Sequence, residues 1–212
     1  MLEHGCFITG TDTGVGKTYV ASLLIRAHRA RGEDCVGIKP ICCGDRTDPE
    51  LLHSASDYAL PLTDVNPVWF QLPLAPLVAA RSEKRTVDAA QLCAQIRQVR
   101  NRHRVVIIEG AGGWLVPITE DYLVADLAAD IGLPIIVVAP NKLGVINHTL
   151  LTLEAIAARE QVCAGVILNE NVAPAEIPDL ATTTNRAVLE SLMKVPLLCA
   201  ISHQQSTMSS FR

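Results

Sequence analysis

Five short stretches of the chain hold apolar and β-branched residues with almost no polar alternation: CFITG (6–10), CVGIK (35–39), RVVIIEG (104–110), PIIVVAP (134–140) and VCAGVILN (162–169). Uninterrupted apolar runs of this length suit strands covered on both faces, as in a parallel sheet. Between them the apolar period becomes helical. Val20, Leu23, Leu24 and Ala27 fall at i, i+3, i+4 and i+7, and a similar stripe runs through 146–158. Strand alternating with helix predicts an α/β fold with a central, mainly parallel sheet flanked by helices, in a single domain over 1–212. Two segments fall outside this rhythm. Residues 60–86, with prolines at 61, 67, 73 and 76, predict an irregular connection, and the small polar residues of 203–212 predict a mobile tail. From Thr86 the run TVDAAQLCAQIRQVR predicts a helix capped by Thr86, with Val87, Ala90, Ala94 and Ile96 turned to the core.

Composition narrows the function classes. With 18 Lys and Arg against 22 Asp and Glu, the formal net charge of −4 supplies no basic face for a nucleic-acid backbone or an anionic membrane, so neither is an expected partner. No basic segment leads into an apolar run at the N-terminus, and the apolar runs are too short to span a bilayer, which predicts a cytoplasmic protein. The seven cysteines (6, 35, 42, 43, 93, 163 and 199) form no C-x-x-C pair and several lie in apolar runs, a pattern of reduced, packed thiols.

The strongest local signal is FITGTDTGVGKTYVASLL (7–24): a strand, a glycine-rich turn, then an amphipathic helix opening at Lys17-Thr18. That order builds a phosphate-binding loop, in which backbone N–H groups and the helix N-terminus face an anion. Lys17 would reach the β- and γ-phosphates, and the Thr18 hydroxyl would ligate Mg²⁺. The strict pattern G-x-x-x-x-G-K-[ST] is displaced, because position 11 is Thr11 and the glycine stands one place earlier at Gly10. Partitioning ATPases carry a signature lysine where this chain has Asp12, which argues against a switch ATPase of that kind.

Three further residues compete between chemical and structural roles. Glu109 ends an apolar strand and leads into GAGG, which sets its carboxylate at the ligand edge of the sheet as a Mg²⁺ ligand rather than a surface acid. Asp48, ahead of Pro49, reads on its own as a helix N-cap, and Asp45 as a plain loop acid. Lys39 closes an apolar strand before Pro40, and either points into the ligand crevice or snorkels to solvent. Cys42 and Cys43 lack the two-residue spacer of redox and zinc pairs.

Together GTDTGVGKT (10–18), KPICCG (39–44), EGAGGWLVP (109–117), NKLGVINHTLLT (141–152) and LNEN (168–171) resemble the dethiobiotin synthetases, a family with a P-loop NTPase-like fold. The resemblance implies a homodimer that converts 7,8-diaminononanoate, CO₂ (or bicarbonate) and MgATP to dethiobiotin, ADP and phosphate in biotin biosynthesis. It implies a nucleotide held by Gly14, Val15, Gly16, Lys17, Thr18 and Tyr19, by Glu109, Gly110, Ala111 and Gly112, and by Asp48 and Asn169, with Asn169 at the adenine edge. It implies Mg²⁺ on Thr18, Asp48 and Glu109, with Lys17 and Lys39 acting on the carbamate and γ-phosphate. The diamine would meet Thr13, Lys39 and Cys43, and its carboxylate the helix start Gly144, Val145, Ile146 and Asn147 of a second subunit. Three positions depart from the family pattern. Gly14 stands where glutamate is common, Cys43 replaces a hydroxyl residue, and CAISHQQ (199–205) replaces the family's adenine loop. From another class, a dimeric switch ATPase acting on a protein or DNA partner shares the phosphate loop. A longer amide-forming P-loop ligase is a third possibility.

Overall fold

All six strands of the main sheet run parallel, in the spatial order β2 (Cys35–Ile38), β5 (Val105–Gly113), β1 (Gly5–Gly10), β6 (Ile135–Pro140), β7 (Cys163–Asn169) and β8 (Leu197–Ile201). The structure, a computed structural model, describes residues 2–170 and 180–202. Every residue of β1, β2 and β6 is buried, as the unbroken apolar runs require when helices cover both faces. Helices α1 (Lys17–Ala30), α2 (Thr47–Ala55), α5 (Ala89–Arg102), α6 (Val124–Ile131), α7 (Val145–Ala157) and α8 (Leu180–Leu192) provide that cover.

The five predicted strands are all present, within two residues of their expected starts. The strand β8 was not anticipated. Residues 60–86 depart from expectation: they form α3 (Leu62–Val65), β4 (Val68–Phe70) and α4 (Pro76–Ser82), and β4 pairs in parallel with β3 (Ile41–Cys43) as a second small sheet. The prolines start structure there instead of breaking it. Pro61 is the N-cap of α3, and Pro76 opens α4, where a missing N–H costs nothing.

Two helix details also differ. Asp88, not Thr86, caps α5 by accepting from the Gln91 N–H at 2.9 Å, and the buried stripe is Leu92, Cys93, Ile96 and Val99, leaving Ala90 and Ala94 exposed. Asp48 is not an N-cap: α2 begins at Thr47, so Asp48 lies in its first turn, while the Asp45 carboxylate accepts from the Thr47 N–H at 3.0 Å. The predicted tail 203–212 lies outside the described residues. Among the described residues no helix is long and apolar enough to cross a membrane, and all seven cysteines are free thiols.

This strand order decides where a ligand can sit. From β1 the chain crosses to β2, with β5 later inserted between them, and then builds outward on the other side through β6. Ligands of open parallel sheets bind at such a reversal, beyond the carboxyl ends of the strands.

Candidate active site

The phosphate loop rises from the end of β1 and turns into α1 at Gly16, whose φ of 92° is left-handed. A Cβ at Gly16 would also stand 2.1 Å from the Asn169 Nδ2, so glycine is needed for both conformation and space. Gly10 explains the displaced motif. A Cβ there would lie 2.7 Å from the Val15 side chain and 2.9 Å from the Asp12 carbonyl, because the loop folds directly over the strand end. Neither a side-chain cap nor an acidic residue occupies the first turn of α1, so its N–H groups suit an anion. The Lys17 ammonium donates to the Asp12 carbonyl at 2.9 Å, and the Asp12 carboxylate accepts from the Thr13 N–H at 2.7 Å.

Sheet register brings the acid and the second lysine together. Ile38 of β2 pairs with Ile108 of β5, so the next residues along the two strands are Lys39 and Glu109. Both are buried, and the Lys39 ammonium donates to Glu109 Oε1 and, at 2.8 Å, to Asp48 Oδ2. Glu109 Oε1 also accepts from the Thr18 hydroxyl at 2.8 Å. The result is one chain of contacts, Thr18 to Glu109 to Lys39 to Asp48, drawn from α1, β5, β2 and α2.

The backbone of Lys39 is clamped by the segment expected to be irregular. Its N–H donates to the Val65 carbonyl at 2.7 Å, and its carbonyl accepts from the buried Asn66 amide at 2.9 Å. Asn66 was not singled out from sequence; the turn-forming Asn66-Pro67 pair was the available signal.

Electrostatics separate the two lysines. Burial and the nearby Lys39 charge outweigh the carboxylates around Lys17 and lower its pKa to about 8. Burial also pulls on Lys39, but Glu109 and Asp48 overcome it and hold that ammonium above the ordinary lysine value. Burial pushes the Asp48 carboxyl up, yet Lys39, Thr18 and Lys17 together keep it below the usual carboxylate range. Burial raises the thiols of Cys42 and Cys43 to about 11, so both are neutral at physiological pH. Cys42 donates to the Asp45 carbonyl at 3.1 Å.

These groups line one cavity of about 750 Å³. Its charged and polar lining includes Lys17, Thr18, Lys39, Asp48 and Glu109; Thr13, Gly14 and Gly16 come from the phosphate loop, Tyr19 from the first turn of α1, and Ala111 and Gly112 from the end of β5. Cys43 also lines it. Its apolar lining is built from Ile41, Leu51, Leu74 and Val116 with Pro73 and Pro76. That lining was not anticipated, because its members come from a three-residue strand, a helix and a proline-rich turn that share no sequence pattern.

Val15, Gly110 and Asn169 do not line the cavity. Asn169 is buried behind the phosphate loop, where its Nδ2 donates to the Val15 carbonyl at 2.9 Å and its Oδ1 has no hydrogen-bond partner. Gly144–Asn147 lie at the start of α7, also away from the cavity. There Gly144 has φ 91°, and the first turn has neither a side-chain cap nor an acid. Exposed Leu143 precedes that turn, and exposed Leu115 and Leu151 line a groove of about 380 Å³ together with Thr13.

A divalent metal can be tested against the donors present. Thr18, Asp48 and Glu109 offer hard oxygens, and Glu109 Oε2 is buried without a partner. Among the described residues no three His, Cys, Asp or Glu side chains gather at one point. The set therefore fits Mg²⁺, which keeps waters and takes phosphate oxygens alongside one or two carboxylates, and not a cage built wholly of protein.

Residues 4–210 match a family model described as an AAA domain. An ATP-dependent dethiobiotin synthetase of Akkermansia muciniphila is 42% identical over 201 residues, covering 95% of this chain and 93% of that protein. One from Anaeromyxobacter dehalogenans is 46% identical over 199 residues, with 89% of each covered, and one from Bacillus velezensis is 41% identical over 197 residues, covering 91% and 83%. Among solved structures, the Pyrococcus furiosus cell division ATPase MinD superposes with a TM-score of 0.60 at 18% identity, covering 94% of this chain and 84% of that one. At that identity the likeness to MinD extends to the fold alone.

Proposed function

We propose, from the premise that this chain belongs to the ATP-dependent dethiobiotin synthetases and is an ATP-dependent ligase, that the cavity closes a ureido ring on 7,8-diaminononanoate. One amine adds to CO₂ and loses a proton, giving a carbamate. A carbamate oxygen attacks the γ-phosphorus of ATP and ADP leaves. The second amine then attacks the carbamoyl carbon of the mixed anhydride, loses a proton and expels phosphate, leaving the neutral ureido ring. Each step builds negative charge near the transferring phosphoryl group, so the protein's contribution is positioning and preorganised positive charge.

In this reading Lys17 and the N–H groups from Gly14 to Thr18 hold the phosphates. Lys39 meets the carbamate and γ-phosphate oxygens. Thr18, Asp48 and Glu109 are the residues that would hold Mg²⁺, which when bound neutralises phosphate charge. The alkyl chain of the diamine would lie on the apolar lining of Ile41, Leu51, Leu74 and Val116, and Thr13 and Cys43 would flank its reacting end. The substrate carboxylate suits the uncapped start of α7, supplied by a second subunit of a cytoplasmic homodimer. The exposed Leu115, Leu143 and Leu151 support an interface on that face.

The observation that carries the assignment is the second buried lysine, fixed by register beside Glu109 in a cavity whose remaining lining is largely apolar. Nucleotide hydrolysis alone needs no such group, whereas an anionic carbamate beside the γ-phosphate does. The switch-ATPase alternative is disfavoured by Asp12, whose side chain folds back on the Thr13 N–H where that class places its signature lysine. The test is phosphate release from ATP and Mg²⁺ with and without diaminononanoate plus bicarbonate, with mass detection of the ureido product. Diamine-dependent release with the product mass is expected. Release indifferent to the diamine, or stimulated only by a protein or DNA partner, would sink the ligase chemistry proposed for this cavity.

A further inference from the structure

Resting on the metal and lysine roles just proposed, we infer that Lys39 is the resident counter-cation of the metal site and that a divalent ion enters only together with the nucleotide. The ammonium of Lys39 contacts Asp48 Oδ2 at 2.8 Å and Glu109 Oε1, on the two carboxylates a metal would need. The Thr18 hydroxyl, the third donor, is itself bonded to Glu109 Oε1 at 2.8 Å. Of the two Glu109 oxygens only Oε2 has no partner.

A metal arriving alone must therefore displace a buried ammonium from both of its carboxylates and leave it nowhere to go, since Lys39 is only 5% exposed. Stranding a charge in that way is costly. A triphosphate changes the balance because its γ-oxygens would offer the ammonium a new anionic partner, leaving Asp48 and Glu109 as the residues that would hold the metal. The same lysine thus has a resting position on the carboxylates and a working position on the transferring phosphoryl group. Metal and nucleotide binding are coupled through that exchange, and Lys39 reaches its working position only when both are present.

Binding of Mn²⁺, used as the probe and followed by the electron paramagnetic resonance signal of the free ion, tests this without any turnover. Wild-type protein should bind Mn²⁺ weakly alone and tighter by about tenfold or more with a non-hydrolysable ATP analogue, after subtraction of the analogue's own Mn²⁺ binding without protein, whereas ADP, which lacks the γ-phosphate, should add less. Lys39→Met should bind Mn²⁺ alone about tenfold or more tighter than wild type, with the triphosphate analogue adding less than it does in wild type, because the site no longer carries its own cation. Lys39→Arg, which keeps the charge, should stay weak. The apo Lys39→Met protein should also unfold at a lower temperature, and Mn²⁺ alone should restore it. Equal Mn²⁺ affinity in wild type and Lys39→Met would overturn the proposal. So would tight Mn²⁺ binding by wild type without nucleotide, a result that needs no variant. No Mn²⁺ binding even with the triphosphate analogue would overturn it together with the assignment of the metal donors. A missing ureido product with the Mn²⁺ pattern intact would remove the ligase chemistry and leave the exchange standing.

Discussion

Nucleotide binding should draw a proton out of solution, and the amount follows from Lys17. In the free protein this lysine titrates near 8 rather than 10.5, because it is buried beside a second ammonium. Anionic phosphates against it restore the charged form. Phosphate binding recovers the charge that burial and Lys39 disfavour, a gain of roughly a few kcal/mol. The direction is uptake, since a lysine whose pKa rises on binding gains a proton at any pH between its two values. In the folded free protein the same depression opposes stability at neutral pH, and this penalty is relieved as pH rises from about 8 toward 10.5. A fraction of a proton should be taken up per ADP bound at pH 8 and more at pH 9, with the effect fading above about 10.5 as the unperturbed lysine itself titrates. Lys39, held above the ordinary lysine value by its two carboxylates, adds nothing in this window. Calorimetric titrations of ADP in two buffers of different ionisation enthalpy give the proton count directly, and at these pH values the phosphates are already fully ionised. Buffer-independent heats at pH 8 and 9 would refute the electrostatic description of the cavity's charged lining.

Replacing Lys39 with alanine should lower turnover by roughly 10² to 10³ while calorimetric ADP affinity stays within about threefold; unchanged turnover would remove Lys39 from the chemistry. For Cys43→Ser, the KM for the diamine should be equal or lower, because a hydroxyl is a better hydrogen-bonding group than a neutral thiol; a higher KM would mean the thiol makes a contact of its own. Gly16→Ala forces a Cβ to within 2.1 Å of Asn169 Nδ2 at a φ of 92°. A left-handed residue with a side chain costs about 1 to 2 kcal/mol before any clash, so ADP affinity should fall by about tenfold or more in a protein with an unchanged circular dichroism spectrum. Affinity equal to wild type would show that the loop can relax away from Asn169.

The parts of the site legible in the sequence were those whose determinants lie close together. The phosphate loop needs a strand, glycines and a helix start within twelve residues, and Glu109 follows directly from an apolar strand running into glycines. Asp48 was harder, because a carboxylate before Pro49 is also what a helix cap looks like; its contact with Lys39 depends on how α2 packs against β2. Residues 60–86 were read as irregular because prolines usually punctuate, yet Pro61 and Pro76 sit where a helix tolerates them best. In α5, alanines at a plausible period concealed a stripe that belongs to Leu92, Cys93, Ile96 and Val99. The three-residue strands β3 and β4 are too short to carry a period at all. The support of Lys39 by Val65 and Asn66 is purely tertiary, and no local pattern encodes it.

The hydrogen bond from Asn169 to the Val15 carbonyl joins residues 154 positions apart. It makes the most recognisable motif in the chain a late product of synthesis. The ribosome delivers the phosphate-loop residues first, and the side chain that braces the loop from behind arrives only with β7. At translation rates of 5 to 20 residues per second that interval is roughly 8 to 30 s. During it the nascent chain carries the motif without the brace, so nucleotide is a poor aid to early folding and a good lock on the finished sheet. A chain released after β6 would still match every phosphate-loop pattern and yet hold nucleotide weakly.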